Sequence, residues 1–200
     1  MKAIIKNIFK SKVNLFLLII FIIVIIVGIL MQLDYYPVAM VNNDLITAKK
    51  LNLNTKAALF FYNNYLKKIS EEQSEQNLNT KDISYDEAKA LVLDELITKS
   101  LVHGEVKKRL GKDLDSMVND KVSIYLNSKI KNISLNLYNL KLEDFKNEIL
   151  IPQAEQDILT GRLFLENKAF DEWLKEAKKS AKVIIFNSKF NWDGEKIILK

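Results

Sequence analysis

The 200-residue chain contains no cysteine, a single histidine, five glycines and two prolines. Without cysteine there is no disulfide and no lipid-modified thiol, a lone histidine leaves no zinc site of the common kinds, and so little glycine and proline disfavours a turn-rich β fold. The net charge of +5 is concentrated at the start: four of the 30 basic residues, Lys2, Lys6, Lys10 and Lys12, precede the first acid, Asp34. The rest of the chain is nearly neutral, with lysines intermingled among acids, and this argues against a nucleic-acid partner.

From Leu15 to Met31 the sequence is apolar on every side, without charge or proline. At the α-helical rise this run covers roughly 25 Å, and Val13 and Leu33 extend it toward the roughly 30 Å of a bilayer core. A helix buried in a soluble fold keeps a polar stripe, so the expectation is a transmembrane helix over residues 13–33, preceded by a basic tail over 1–12. The lysines predict an N-terminus on the cytoplasmic side of a bacterial-type membrane and a domain over 34–200 outside it, with Tyr35 and Tyr36 at the far interface. Ile29, Met31 and Leu33 are poor cleavage-site residues, so the run reads as an uncleaved signal anchor.

Beyond Pro37, Val38–Val41 has a strand pattern, Asn42-Asn43-Asp44 is a turn signal, and Leu45-Ile46 suggests a returning strand. Thr47 is placed to cap a helix reaching Lys68 or beyond, with Leu51, Ala58, Phe61, Tyr62 and Tyr65 on roughly one face. The polar stretch Ser70–Asp82 reads as a linker. Ser84 with Glu87 forms a capping box before a helix with Ala88, Leu91, Val92, Leu96, Leu101 and Val102 among its apolar positions, ending at Gly111. Further helices are expected at Asp115–Lys131, Leu142–Leu150, Pro152–Leu165 and Ala169–Ala181. The period then shortens: Val183–Phe186 and Lys196–Leu199, on either side of a turn over Phe190–Gly194, are expected to pair with Val38–Val41. The fold class is therefore mainly α, with a small β element joining the two ends of the ectodomain.

Groups for catalysis are sparse. His103 lies inside a helix, where a lone histidine is usually a packing or surface residue. No phosphate loop, nucleophile elbow or HExxH helix occurs. The acid pairs Glu71-Glu72 and Glu143-Asp144 sit in polar surroundings as solvating charges. The expectation is a protein that is not an enzyme and uses no metal or cofactor.

Three stretches act together: Val38-Ala-Met-Val-Asn-Asn-Asp-Leu-Ile-Thr47, then Leu91-Val-Leu-Asp-Glu-Leu-Ile97 running on to Arg109-Leu-Gly111, then Tyr138-Asn-Leu-Lys-Leu-Glu-Asp-Phe145 through Ile151-Pro-Gln153. In order and spacing they resemble the SurA-type N-terminal chaperone domain of the SurA, PpiD and PrsA-like family, and Phe170–Leu174 with Ala181–Phe186 resembles the ending of its single-domain members. Two family glycines are replaced, by Asn43 and Asn139, both able to take a left-handed conformation. Many relatives carry a parvulin isomerase domain whose site employs two histidines; this chain has neither the length nor the histidines, so isomerase activity is not carried over.

The resemblance implies a SurA-N-like helical cradle acting as a non-enzymatic holdase on unfolded or newly secreted polypeptides, tethered to the bilayer. Its candidate client contacts are Phe60, Phe61, Tyr62, Tyr65, Tyr125 and Tyr138, each of which could instead fill the domain's own core. The alternative is a scaffold subunit whose ectodomain docks one membrane protein. A pilin-like subunit is disfavoured, because no glycine cleavage site precedes the apolar run and no glutamate lies near its start.

Overall fold

The computed structural model describes residues 12–72, 83–126 and 130–200, and within them the protein is mainly helical with a small sheet element. Helix α1 (Lys12–Gln32) is long and apolar enough to cross a membrane, and none of its apolar window is buried against the rest of the chain. The basic tail before it lies outside the described residues, as does the 73–82 part of the expected linker; Ser70–Glu72 belong to a helix.

Helix α1 ends in a Schellman motif. Asp34 takes a left-handed conformation (φ 57°), its N–H donates to the Met31 carbonyl, and the Tyr35 N–H donates to that of Leu30. Asp34 then ties this end to helix α2 (Ala48–Glu72). Its carbonyl accepts from the Lys49 N–H at 2.7 Å, and its carboxylate accepts from Asn52 Nδ2 at 3.0 Å. The Tyr36 carbonyl accepts from the Ala48 N–H at 2.9 Å. The first turn of α2, whose N–H groups have no partner inside the helix, is thereby satisfied by the chain leaving α1. Thr47 adds the expected cap, accepting from the Lys50 N–H.

Between these helices, β1 (Pro37–Val41) and β2 (Asp44–Thr47) form the expected hairpin. The left-handed residue of its turn is Asn42 (φ 54°) and not Asn43. The reason is local: Asn42 N–H donates to the Lys182 carbonyl and its Oδ1 accepts from the Lys182 N–H, which holds the turn against the far end of the chain. There β3 (Val183–Ile185) pairs antiparallel with β1, making the sheet order β2-β1-β3, so segments near the two ends of the domain do meet in one sheet. Ile197–Leu199 departs from the expected pairing. As β5 it pairs with β4 (Phe190–Trp192) in a separate hairpin, because β2 and β3 already occupy both edges of β1.

Helix α3 (Tyr85–Leu110) is the centre of the core. The Ser84 capping box is complete, and the Gly111 N–H closes the other end onto the Lys107 carbonyl at φ 56°. Leu93 and Ile97 are fully buried, and α2, the later helices and β5 pack around them. The expected helix over Asp115–Lys131 is shorter: α4 runs Leu114–Tyr125, Leu126 is extended, and a separate helix α5 covers Ile130–Tyr138. Residues 127–129 lie outside the described residues. Asn139 after α5 is left-handed (φ 52°), as anticipated.

The two helices expected around Pro152 are one continuous rod. Helix α6 (Leu142–Phe145) passes through a π-helical turn, Lys146–Leu150, into α7 (Ile151–Leu165). The Ile151 N–H reaches back to the Lys146 carbonyl, five residues earlier. Pro152 has no N–H to give the Glu148 carbonyl, and Lys99 Nζ donates to that oxygen instead at 3.0 Å. A lysine from α3 thus supplies the donor that proline removes. Helix α8 (Phe170–Ser180) buries Trp173 and leads into β3.

Candidate functional site

Helices α2 and α3 run antiparallel and diverge beside α5, leaving a groove of about 460 Å³. From α2 it is lined by Asn54, Ala57, Ala58, Leu59, Phe61 and Tyr62, and from α3 by Ala88, Leu91, Val92 and Glu95. Tyr138 of α5, Ile83 and Ile149 complete it. The groove exists because small residues face one another: Ala57 and Ala58 precede Phe61 and Tyr62 by one helical turn, and Ala88 stands across from them. Without longer side chains the two helices leave an apolar recess, floored by the buried Ala57, Ala88 and Val92.

One wall is a stack of aromatic rings. Phe61 lies against Tyr65 (centroids 6.3 Å apart, 7° between planes) and against Tyr138 (5.1 Å, 12°). Tyr138 in turn leans on the buried Phe145 at 5.3 Å. Stacking restrains the rings, so they form an apolar wall with little rotamer entropy left to lose. Asn64 Nδ2 donates to the Asn136 carbonyl, holding α5 against α2 beside this wall.

The polar rim is small. Asn54 Nδ2 donates to Glu148 at 2.8 Å, and Glu95 pairs with Lys99 at 2.7 Å. Burial, helped by the Glu95 charge, pushes the Tyr138 phenol above its usual range. It therefore stays a neutral hydroxyl near neutral pH. The site is apolar with few hydrogen-bonding groups, the character of a surface that covers an apolar segment.

Of the six aromatics singled out in the sequence, Phe61, Tyr62 and Tyr138 line the groove and Tyr65 extends its stack. Phe60, one residue back on α2, does not line it. Tyr125 lies elsewhere: its hydroxyl donates to Asp157 of α7, and burial followed by that bond pushes its pKa up to about 12. It is a staple between α4 and α7. The alanines and Leu91, which is 64% exposed at the mouth, were not among the candidates. Their signal in the sequence is the Ala57-Ala58 pair set one turn before Phe61-Tyr62.

His103 is not near the groove. Its Nδ1 lies 2.8 Å from Oε1 of Glu155, a buried carboxylate on α7. The hydrogen bond to Glu155 raises the histidine pKa above 6.5; burial opposes this, and the Glu155 and Asp44 charges add to the rise. A raised folded-state pKa means that the stabilisation is complete below the unfolded value and is lost as pH climbs through the folded one. The melting temperature of the full chain is therefore expected to fall as pH rises above about 6.5, and His103→Gln flattens that slope. An unchanged slope in the variant would show that the pair does not couple to folding.

Among the described residues no group of three or more His, Cys, Asp or Glu side chains is placed to hold a metal ion. Compared with protein-family models, curated proteins and solved structures, the chain matches none of them.

Proposed function

We propose that the chain is a membrane-anchored, non-enzymatic holdase of the SurA type, using the α2–α3–α5 groove to cover apolar segments of unfolded or newly secreted polypeptides. The observation that carries the reading is the groove: an open apolar recess with a preordered aromatic wall and a thin polar rim. Such a surface binds by removing apolar area from water and needs neither nucleotide nor metal. Support also comes from α1, which is long and apolar enough to cross a membrane. In this proposal the lysines before it stay on the cytoplasmic side of a bacterial-type membrane and the domain works outside. Tethering then raises the local concentration of the groove around chains emerging at the membrane surface.

The test is light scattering from a chemically unfolded protein unrelated to this one, with the full chain in lipid nanodiscs. At several-fold excess the chain is expected to suppress aggregation, while empty nanodiscs do not. No suppression at that excess would remove the holdase reading and leave a scaffold that docks one membrane protein.

A further inference from the structure

We propose that Glu148 is the positioning residue of the groove: bonded to α3 through its carbonyl and to α2 through its carboxylate, it fixes the spacing of the two walls. The inference rests on the reading of the α2–α3–α5 groove as the client site, and it concerns what keeps that site open. An empty apolar recess tends to close, because closing removes its walls from water and restores the contacts they lack. The floor here is the buried Ala57, Ala88 and Val92, with Phe61 and Leu91 above it, so something must hold the walls apart.

One end of the groove carries the means. Ile149, in the π-helical turn Lys146–Leu150, lines the recess together with Asn54 of α2 and Glu95 of α3. Its neighbour Glu148 reaches both helices. The Glu148 carbonyl accepts from Lys99 Nζ of α3 at 3.0 Å, and Glu148 Oε2 accepts from Asn54 Nδ2 of α2 at 2.8 Å. Lys50 Nζ of α2 stands 4.0 Å from the same oxygen. Each partner is held in turn: Asn54 Nδ2 also donates to the Lys50 carbonyl one turn back, and Lys99 pairs with Glu95 at 2.7 Å. The Glu148 side chain is 15% exposed and Asn54 8%, so water competes little for this bond, and a hydrogen bond to a carboxylate is of the stronger kind.

The local sequence explains how one residue faces two helices. Pro152 has no N–H for the Glu148 carbonyl, which frees that oxygen for α3. The π turn holds one residue more than an α turn, which rotates the side chains before it by about 100° relative to those after it. The rod can therefore turn Ile149 to the groove and still bury Ala154 and Leu159 completely further along. Beside the aromatic wall, the Phe61–Tyr138 stack and the bond from Asn64 to the Asn136 carbonyl join α5 to α2. Glu148 joins α2 to α3.

The test reads groove width and client protection separately. Lys56→Cys and Lys89→Cys, one on each wall helix and neither lining the groove, carry nitroxides in the full chain in lipid nanodiscs; the chain has no other cysteine. Electron paramagnetic resonance gives the distance between them, and light scattering from an unrelated unfolded protein gives suppression of aggregation. Glu148→Ala and Asn54→Ala are each expected to broaden the distance distribution and to raise the amount of chain needed for half-suppression about threefold or more. The double variant is expected to do no more than either single one. Glu148→Gln, whose amide oxygen can still accept from Asn54, is expected to recover most of both signals. An unbroadened distance in an alanine variant that keeps the wild-type circular dichroism overturns the proposal, as does a Glu148→Gln as impaired as Glu148→Ala. Should Glu148→Ala not fold, the distance in Asn54→Ala, which leaves the rod untouched, decides. A wild-type chain that suppresses no aggregation removes the holdase reading, and the distances then decide the role of Glu148 by themselves.

Discussion

Replacing Phe61 and Tyr138 together with alanine is expected to abolish most of the suppression of aggregation, so that about tenfold or more protein is needed for the same effect. The two rings face each other at 5.1 Å and form the part of the aromatic wall that bounds the groove. Truncating a stacked interface aromatic costs on the order of 1–2 kcal/mol of binding, and about 1.4 kcal/mol is a tenfold change. Folding is not expected to fail, because Phe61 is exposed and Tyr138 half-buried; circular dichroism and the denaturation midpoint check this. A complementary change fills the groove and leaves its wall intact: Ala58→Trp puts an indole into the recess and is expected to give the same loss. Tyr125→Phe removes the bond to Asp157, outside the groove, and is expected to keep wild-type activity. If both groove variants suppress aggregation as well as the wild type does, the groove is not where clients bind.

Phe190→Ala is expected to be the most damaging single change to stability, about 3–5 kcal/mol by denaturant titration. Phe190 lies at the start of β4 and is 1% exposed, the largest of the fully buried side chains among the described residues. The hairpin it belongs to packs through β5 on α3, with Ile197 also buried, so truncation opens a cavity at the centre of the domain. The neighbouring Lys189 is a control. Its ion pair with Asp86 at 2.8 Å joins two largely exposed side chains, and Lys189→Ala is expected to cost less than about 1 kcal/mol. A Phe190→Ala cost as small as that of Lys189→Ala would show that the terminal hairpin is not part of the cooperative core.

These two expectations differ in how far they could be read from residues alone. Phe61, Tyr62 and Tyr138 stood out because aromatics at helical spacing are conspicuous, yet Phe60 and Tyr125 were equally conspicuous and do not line the groove. The alanines leave only a faint mark, the Ala57-Ala58 pair one turn before Phe61-Tyr62, and Ala88 leaves none, since alanine is a good helix former anywhere and the sequence does not show which alanines meet. Phe190 carried no mark that separated a core residue from a turn residue. Its burial follows from a hairpin laid across α3, a long-range contact.

What the residues determine unaided is local and strong. The unbroken apolar run makes α1, because a chain with no polar side chain over that length has no amphipathic face to orient. The Ser84–Glu87 box and Gly111 bound α3, and the change of period after Ala181 marks the return to strand and its pairing with β1. Tertiary structure decided the rest. It turned Pro152 from a helix start into a point inside one rod, since Lys99 from another helix supplied the missing donor. It gave the edges of β1 to β2 and β3 and left β5 to β4, and it opened the groove where small side chains meet. For the donor, the β3 edge and the groove, the deciding partner lies tens of residues away. Propensity and capping act within a turn or two, but a donor, a free strand edge or an empty volume exists only once distant elements pack.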